Sequence, residues 1–209
     1  MTILAHPDDA EIWVGGTLRN HILAGAEALC CIVAAADHDL RAREATAGAS
    51  LLGADVTFLG GVDRSLQPTG ELVERTSALL QQFRPTIIIT HWGDDSHPDH
   101  VSTYDITRRA IVGATGLSQT LRHVLSCDTY LGQGRAGLFQ PDVMIDVTDV
   151  WIDKVAAINV HQTQSPDQYV QAIERQCWIH GARSGVKYAE GFRRIPVYGR
   201  MGAALTTLL

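Results

Sequence analysis

Two short stretches of the chain concentrate groups able to bind a metal ion and to move protons. Residues 5–11 read A-H-P-D-D-A-E, and residues 95–100 read D-S-H-P-D-H. His6, Asp8, Asp9, His97, Asp99 and His100 supply two imidazole-carboxylate sets, each with a proline fixing the backbone just past its first histidine. A hydrolytic metal centre needs a few nitrogen and oxygen ligands, an open position for water and a nearby base. Three ligands can be drawn from these six residues with side chains left over for proton transfer. A lone histidine or an Asp-Asp pair commonly caps a turn or a helix. Capping gives no reason for His-Pro-Asp to occur twice, so the pair of clusters favours a metal site. His91, at the end of the run before the second cluster, fits a partner that orients a ligand. His21, His38, His123 and His180 stand in neither cluster and read as surface or packing residues. Glu11 reads as an orienting or first-turn helix residue. Asp94 and Asp95 read either as an acidic approach or as a solvated loop.

The clusters need a scaffold, and the apolar patterning predicts one. Short β-rich runs at 2–5, 28–35, 55–59, 86–90, 122–126 and 143–147 alternate with helical spacing. Helices are expected from near Ala10, over 41–52 ending at Gly53, over 69–83 before Pro85, over 150–161 and over 166–181. Several strands are apolar on both faces, as in sheets covered on both sides. The pattern implies a single Rossmann-like α/β domain over residues 1–209, its mostly parallel sheet flanked by helices on both faces. In such sheets ligands bind at the carboxyl ends of the strands, where strand order reverses. Both clusters follow a strand, and neighbouring strands would bring them across one crevice. Gly15 and Gly16 suit close packing of the first helix; G-x-G-x-x-G is absent, so no dinucleotide fingerprint is present. The first strand is short, which predicts a less buttressed edge of the site.

Composition narrows the functions. With 45% hydrophobic and 19% charged residues the chain reads as an ordinary globular protein, and no apolar run spans a bilayer. A net charge of −6 with scattered basic residues argues against nucleic acid as a partner. No basic region, apolar stretch and cleavage site precede His6, so the expected location is the cytoplasm. Cys30, Cys31, Cys127 and Cys177 lack C-x-x-C spacing and read as reduced core residues.

The ordered motifs A-H-P-D-D-A-E-I-W-V-G-G-T-L, R-A-R-E-A-T-A-G-A-S-L-L-G, L-G-G-V-D and D-S-H-P-D-H closely resemble the LmbE/PIG-L family of zinc-dependent de-N-acetylases. P-D-V-M-I-D-V-T, K-V-A-A-I-N-V-H-Q-T-Q and G-V-K-Y-A-E-G-F resemble that family's C-terminal third. The resemblance implies a hydrolase that removes an N-acyl group, most often acetyl, from an amino sugar, a glycoconjugate or a related small metabolite. It implies one Zn2+ per chain, with Fe2+ as an alternative, held by His6, Asp9 and His100. Asp8 would then be the general base. His97 would protonate the leaving amine or stabilise the oxyanion, and Asp99 would tune a neighbouring histidine. Arg41 and Asp63 correspond to residues that contact the sugar. Trp13 stands where many members have glycine, which predicts a walled pocket. Trimers or hexamers are common among such proteins, so a homo-oligomer is expected. Two other readings remain at this point: a metal-dependent phosphoesterase, and a sugar-binding protein with a vestigial site.

Overall fold

The computed structural model describes residues 1–34 and 40–197. The strands are β1 (Thr2–Leu4), β2 (Leu29–Ile32), β3 (Asp55–Phe58), β4 (Ile87–Thr90), β5 (His123–Cys127), β6 (Val143–Asp146) and β7 (Ala189–Arg194). The helices are α1 (Asp9–Leu23), α2 (Leu40–Leu52), α3 (Gly70–Phe83), α4 (Pro98–Gly113), α5 (Trp151–Ile158) and α6 (Pro166–Ser184). The sheet order is β3-β2-β1-β4-β5-β7-β6. The first five strands pair in parallel, while β7 runs antiparallel to both β5 and β6.

Strand order reverses between β1 and β4, which pair directly through Thr2 with Ile89 and Ile3 with Thr90. The two His-Pro-Asp clusters leave the carboxyl ends of these two neighbours, at the switch point where open sheets bind ligands. The short β1 is therefore flanked by β2 and β4 at mid-sheet, which corrects the expectation of a weakly buttressed edge.

Alternation along the strands explains the two-sided sheet. Leu4, Cys30, Ile89 and Leu125 join one apolar cluster with residues of α1, α2, α5 and α6. Their neighbours Ile3, Cys31, Ile88 and Val124 join a second cluster with residues of α3 and α4. Side chains one residue apart point to opposite faces, so adjacent Cys30 and Cys31 serve different cores. All four cysteines are free and buried.

Helix limits follow local chemistry. Thr69 caps α3 by accepting from the Leu72 amide, and the helix ends at Arg84 ahead of Pro85. Pro98 opens α4, where the missing amide costs nothing. The apolar spacing predicts neither α4 nor β7. In α4 the recognisable residues belong to the second His-Pro-Asp cluster, and in β7 the first four residues, Glu190 among them, are buried without alternation. His38 and residue 35 of the second predicted strand fall outside the described residues, as do 198–209 of the predicted domain. Among the described residues no helix is long and apolar enough to cross a membrane.

A buried ion pair locks α1 to the rest of the domain. Lys154 on α5 is fully buried; its Nζ pairs with Glu190 of β7 and donates to the Ile12 carbonyl at 2.7 Å. Glu190 in turn accepts from the Gly16 and Thr17 amides, both at 2.9 Å. Ile12 O and Gly16 N are one i to i+4 pair of the helix ladder, so the Lys154–Glu190 pair grips α1 at one turn. Gly16 makes this approach feasible: a Cβ there would lie 2.6 Å from Val147.

Candidate metal centre and active site

The chain turn after β1 delivers His6, Asp8 and Asp9, and the turn after β4 delivers Asp95, His97, Asp99 and His100. His6, Asp8, Asp9, Asp95, Asp99 and His100 are buried. One ligand atom each from His6, Asp9 and His100 lie within 4.8 Å of one another. His6 Nδ1 is 3.3 Å from Asp9 Oδ2, and His100 Nε2 is 3.6 Å from Asp9 Oδ1. Ligands about 2.0–2.2 Å from one ion in tetrahedral array sit roughly 3.3–3.6 Å apart. The donor set of two imidazoles and one carboxylate, with one ligand atom from each gathered within 4.8 Å, fits a single divalent cation of the zinc class.

Each of these three residues is held from behind, the arrangement that fixes ring orientation in metal sites. Asp95 Oδ2 lies 2.8 Å from His100 Nδ1, and its Oδ1 accepts from the His97 amide at 2.8 Å. His6 Nε2 lies 3.3 Å from both Asp99 Oδ2 and Asp63 Oδ1. Asp99 is fixed by the Arg64 amide at 2.7 Å and the Leu66 amide at 3.2 Å. Arg64 adopts a left-handed conformation, φ 63°, at this turn. Asp9 accepts from the His6 amide at 2.7 Å and from the Trp13 indole at 3.2 Å, with His91 Nε2 3.1 Å away. His91 stacks on His100 with ring centres 3.6 Å apart.

Electrostatics separate the two adjacent carboxylates. Burial favours a neutral Asp9, but His100 and His91, with His6, outweigh it and hold the carboxyl well below its ordinary value. Asp8 is pushed up, first by burial and then by Asp9, with Arg41 and His161 opposing. Burial works against a charged His6, yet Asp9, Asp99 and Asp63 lift it to about 9. Burial and then His100 lower His91 to about 4, leaving it neutral. Burial, His100 and His6 lower His97. His97 Nδ1 accepts from the Asp99 amide at 3.2 Å, which leaves Nε2 to carry the proton of the neutral ring.

Arg41, at the start of α2, joins the site to its rim: it contacts Asp8 Oδ1 at 3.3 Å and Asp63 Oδ2 at 3.2 Å. Its Nε is buried and has no hydrogen-bond partner among the described residues. Three residues on α2 later, Glu44 accepts from the Thr163 amide at 3.0 Å. Deeper in, His161 Nε2 is 3.4 Å from Glu11 Oε2.

The structure thus brings all eight sequence-predicted site residues to one crevice. Asp95 is buried on His100, so the solvated-loop reading of that residue is corrected. Its signal was the spacing to His97, since an Asp accepting from the amide two residues on makes a compact turn. His180 is no surface residue; it pairs with buried Asp128 at 2.6 Å. Tyr130 was not foreseen. It packs edge-on against Trp13 at 4.7 Å and parallel to His100 at 6.4 Å, and burial followed by the charges of Asp9 and Asp8 raises its phenol. Nothing in C-D-T-Y-L-G marks it as a site residue.

The chain is 27% identical to the 1D-myo-inositol 2-acetamido-2-deoxy-alpha-D-glucopyranoside deacetylase of Mycolicibacterium gilvum, over 77% of this chain and 78% of that protein. It is 25% identical to the diacetylchitobiose deacetylase of Thermococcus kodakarensis, over 94% of this chain and 82% of that protein. The solved 4-carboxy-2-hydroxymuconate hydratase of Pseudomonas putida superposes with a TM-score of 0.82 at 20% identity, covering 97% of this chain and 99% of that one. A hydratase and deacetylases sharing one fold means that the site, and not the fold, must decide the reaction. The family model described as PIG-L, GlcNAc-PI de-N-acetylase, matches residues 1–111, which hold both His-Pro-Asp clusters and Arg41. The chain therefore belongs to the PIG-L family.

Proposed function

We propose that the protein is a zinc-dependent N-deacetylase of 2-acetamido-2-deoxy sugars. One observation carries the reading: a buried trio able to hold a cation, His6, Asp9 and His100, lies beside a separate carboxylate, Asp8, that is held by an arginine and belongs to none of the three such His/Asp clusters among the described residues. A divalent cation there supplies a Lewis acid for an amide carbonyl and lowers the pKa of water to about 7.

The chain's own residues complete the chemistry. Asp8, with its raised pKa, accepts the proton of the attacking water. His97, neutral with its proton on Nε2, can hydrogen-bond the developing oxyanion, and the proton held on Asp8 passes to the departing amine nitrogen. Asp95 and Asp99 keep the two metal-site imidazoles in place. Arg41 and Asp63 stand at the rim, a guanidinium beside a 41% exposed carboxylate, a donor and an acceptor suited to sugar hydroxyls. The two named relatives carry an acetamido sugar in their substrates' names, which matches this class.

A bridged two-metal phosphoesterase fits less well. No carboxylate is common to two of the three candidate cation clusters found among the described residues, so none is placed to bridge a pair of ions. Acetate release from N-acetylglucosamine, diacetylchitobiose and N-acetylglucosaminyl-inositol, assayed with and without zinc, tests the reading. Zinc-dependent acetate from at least one of them is expected. No acetate from any, with turnover of a phosphoester instead, overturns it. A homo-oligomer is part of the same reading, and light scattering at working concentration tests it.

A further inference from the structure

We propose that Trp13 is a positioning residue of the metal centre, whose indole N–H fixes the oxygen of Asp9 left open to a cation. This rests on the reading of His6, Asp9 and His100 as the cation site. An ionised carboxylate offers about four lone-pair directions. Oδ2 of Asp9 is crowded: the His6 amide donates to it at 2.7 Å, His91 Nε2 lies at 3.1 Å and His6 Nδ1 at 3.3 Å. Among the described residues Oδ1 has two polar partners, the Trp13 indole nitrogen at 3.2 Å and His100 Nε2 at 3.6 Å. One direction on Oδ1 is therefore taken by the indole, and the other is left on the side of the second imidazole.

The terminal torsion of an aspartate is soft, so a carboxylate held from one side can swing or exchange its oxygens. Trp13 removes that freedom. It stands four residues after Asp9 on α1, one turn along the same face. Its indole is 4% exposed and wedged edge-on against Tyr130. Tyr130 lies parallel to His100, so one aromatic unit touches two of the three residues of the cation site. An indole N–H donates and never accepts, so Trp13 orients Asp9 without competing for the ion. Phenylalanine at this position keeps the ring wedge and deletes only the donor.

The test compares zinc affinity of the parent and Trp13→Phe by competition with a chromophoric chelator, with thermal unfolding of the metal-free proteins as a control of folding. Loss of a partner that orients a ligand weakens metal binding by about 10–100-fold, and that drop is expected for Trp13→Phe with the unfolding temperature little changed. In parallel, a 15N spectrum of the indole N–H groups is recorded with Trp92→Phe, which silences the tryptophan next to His91. One of the remaining indole signals is expected to shift on adding zinc, as an N–H bonded to a ligand oxygen must. If the parent binds no zinc, the cation site itself is refuted and this inference with it. If the parent binds zinc and Trp13→Phe binds it within twofold, only the role of Trp13 is overturned. Should Trp13→Phe fail to fold, the indole spectrum decides, and no shifted signal at saturating zinc overturns the proposal.

Discussion

Replacing Lys154 by methionine should destabilise the domain. Methionine approximates the length of the lysine stem but leaves Glu190, 2% exposed, without its cation, and the Ile12 carbonyl without its donor. Removing one partner of a buried ion pair costs about 3–5 kcal/mol, because the remaining charge stays buried. The Gly16 and Thr17 amides still reach Glu190, which places the loss toward the lower end of that range. For a chain of this size each kcal/mol moves Tm by about 2–4 °C, so the fall is about 6–20 °C. Calorimetry or circular dichroism on the metal-free protein reads it directly. Adding Glu190→Gln to the same chain removes the stranded charge, and the double variant should lose clearly less than the sum of the two single losses. A single-variant shift under about 2 °C, or strict additivity, would refute the view that this pair clamps α1 and the carboxylates at its start.

Gly16→Ala should also destabilise, by about 1–3 kcal/mol, since the new Cβ meets Val147 at 2.6 Å and overpacking outweighs the better helix propensity of alanine; chemical denaturation checks it. Asp95→Asn strips the charge facing His100 Nδ1, and zinc affinity measured by chelator competition should fall about 10–100-fold with little change in Tm. Burial disfavours a charged His161, but Glu11, followed by Asp8 and Glu44, outweighs it and raises the histidine. A raised histidine adds stability that is complete below its unfolded value and fades as pH climbs through the folded one. Stability should therefore decline as pH rises from about 6.5 upward, and His161→Gln should flatten that stretch of the denaturation-versus-pH profile.

The residues that do chemistry were more legible than the residues that hold them. His6 and His100 could be read because strand runs end just before each cluster, and parallel sheets place ligands at such ends. That the crevice is real depended on β1 and β4 being neighbours, which no local pattern states. Trp13 could have been found from its i to i+4 spacing to Asp9 on one helix, but an apolar residue at that spacing reads first as core. Asp95 and Asp94 are indistinguishable by type, and only the turn after β4 buries one of them under His100. Glu190 escaped notice because its partner Lys154 is 36 residues away and each side chain, alone, belongs on a surface. Tyr130 arrives from the end of β5, where three-dimensional packing and no sequence spacing puts it against Trp13.

The division of labour between adjacent aspartates is tested by turnover of Asp8→Asn at full zinc occupancy on an N-acetyl amino sugar that the parent deacetylates. The proposed function gives the ion to His6, Asp9 and His100, so the variant should bind one zinc per chain, as expected of the parent. Loss of a general base should then lower kcat by about 10²–10⁴-fold. Asp8→Asn that turns over at the parent's rate, or that no longer binds zinc, would contradict the separation of base from ligands.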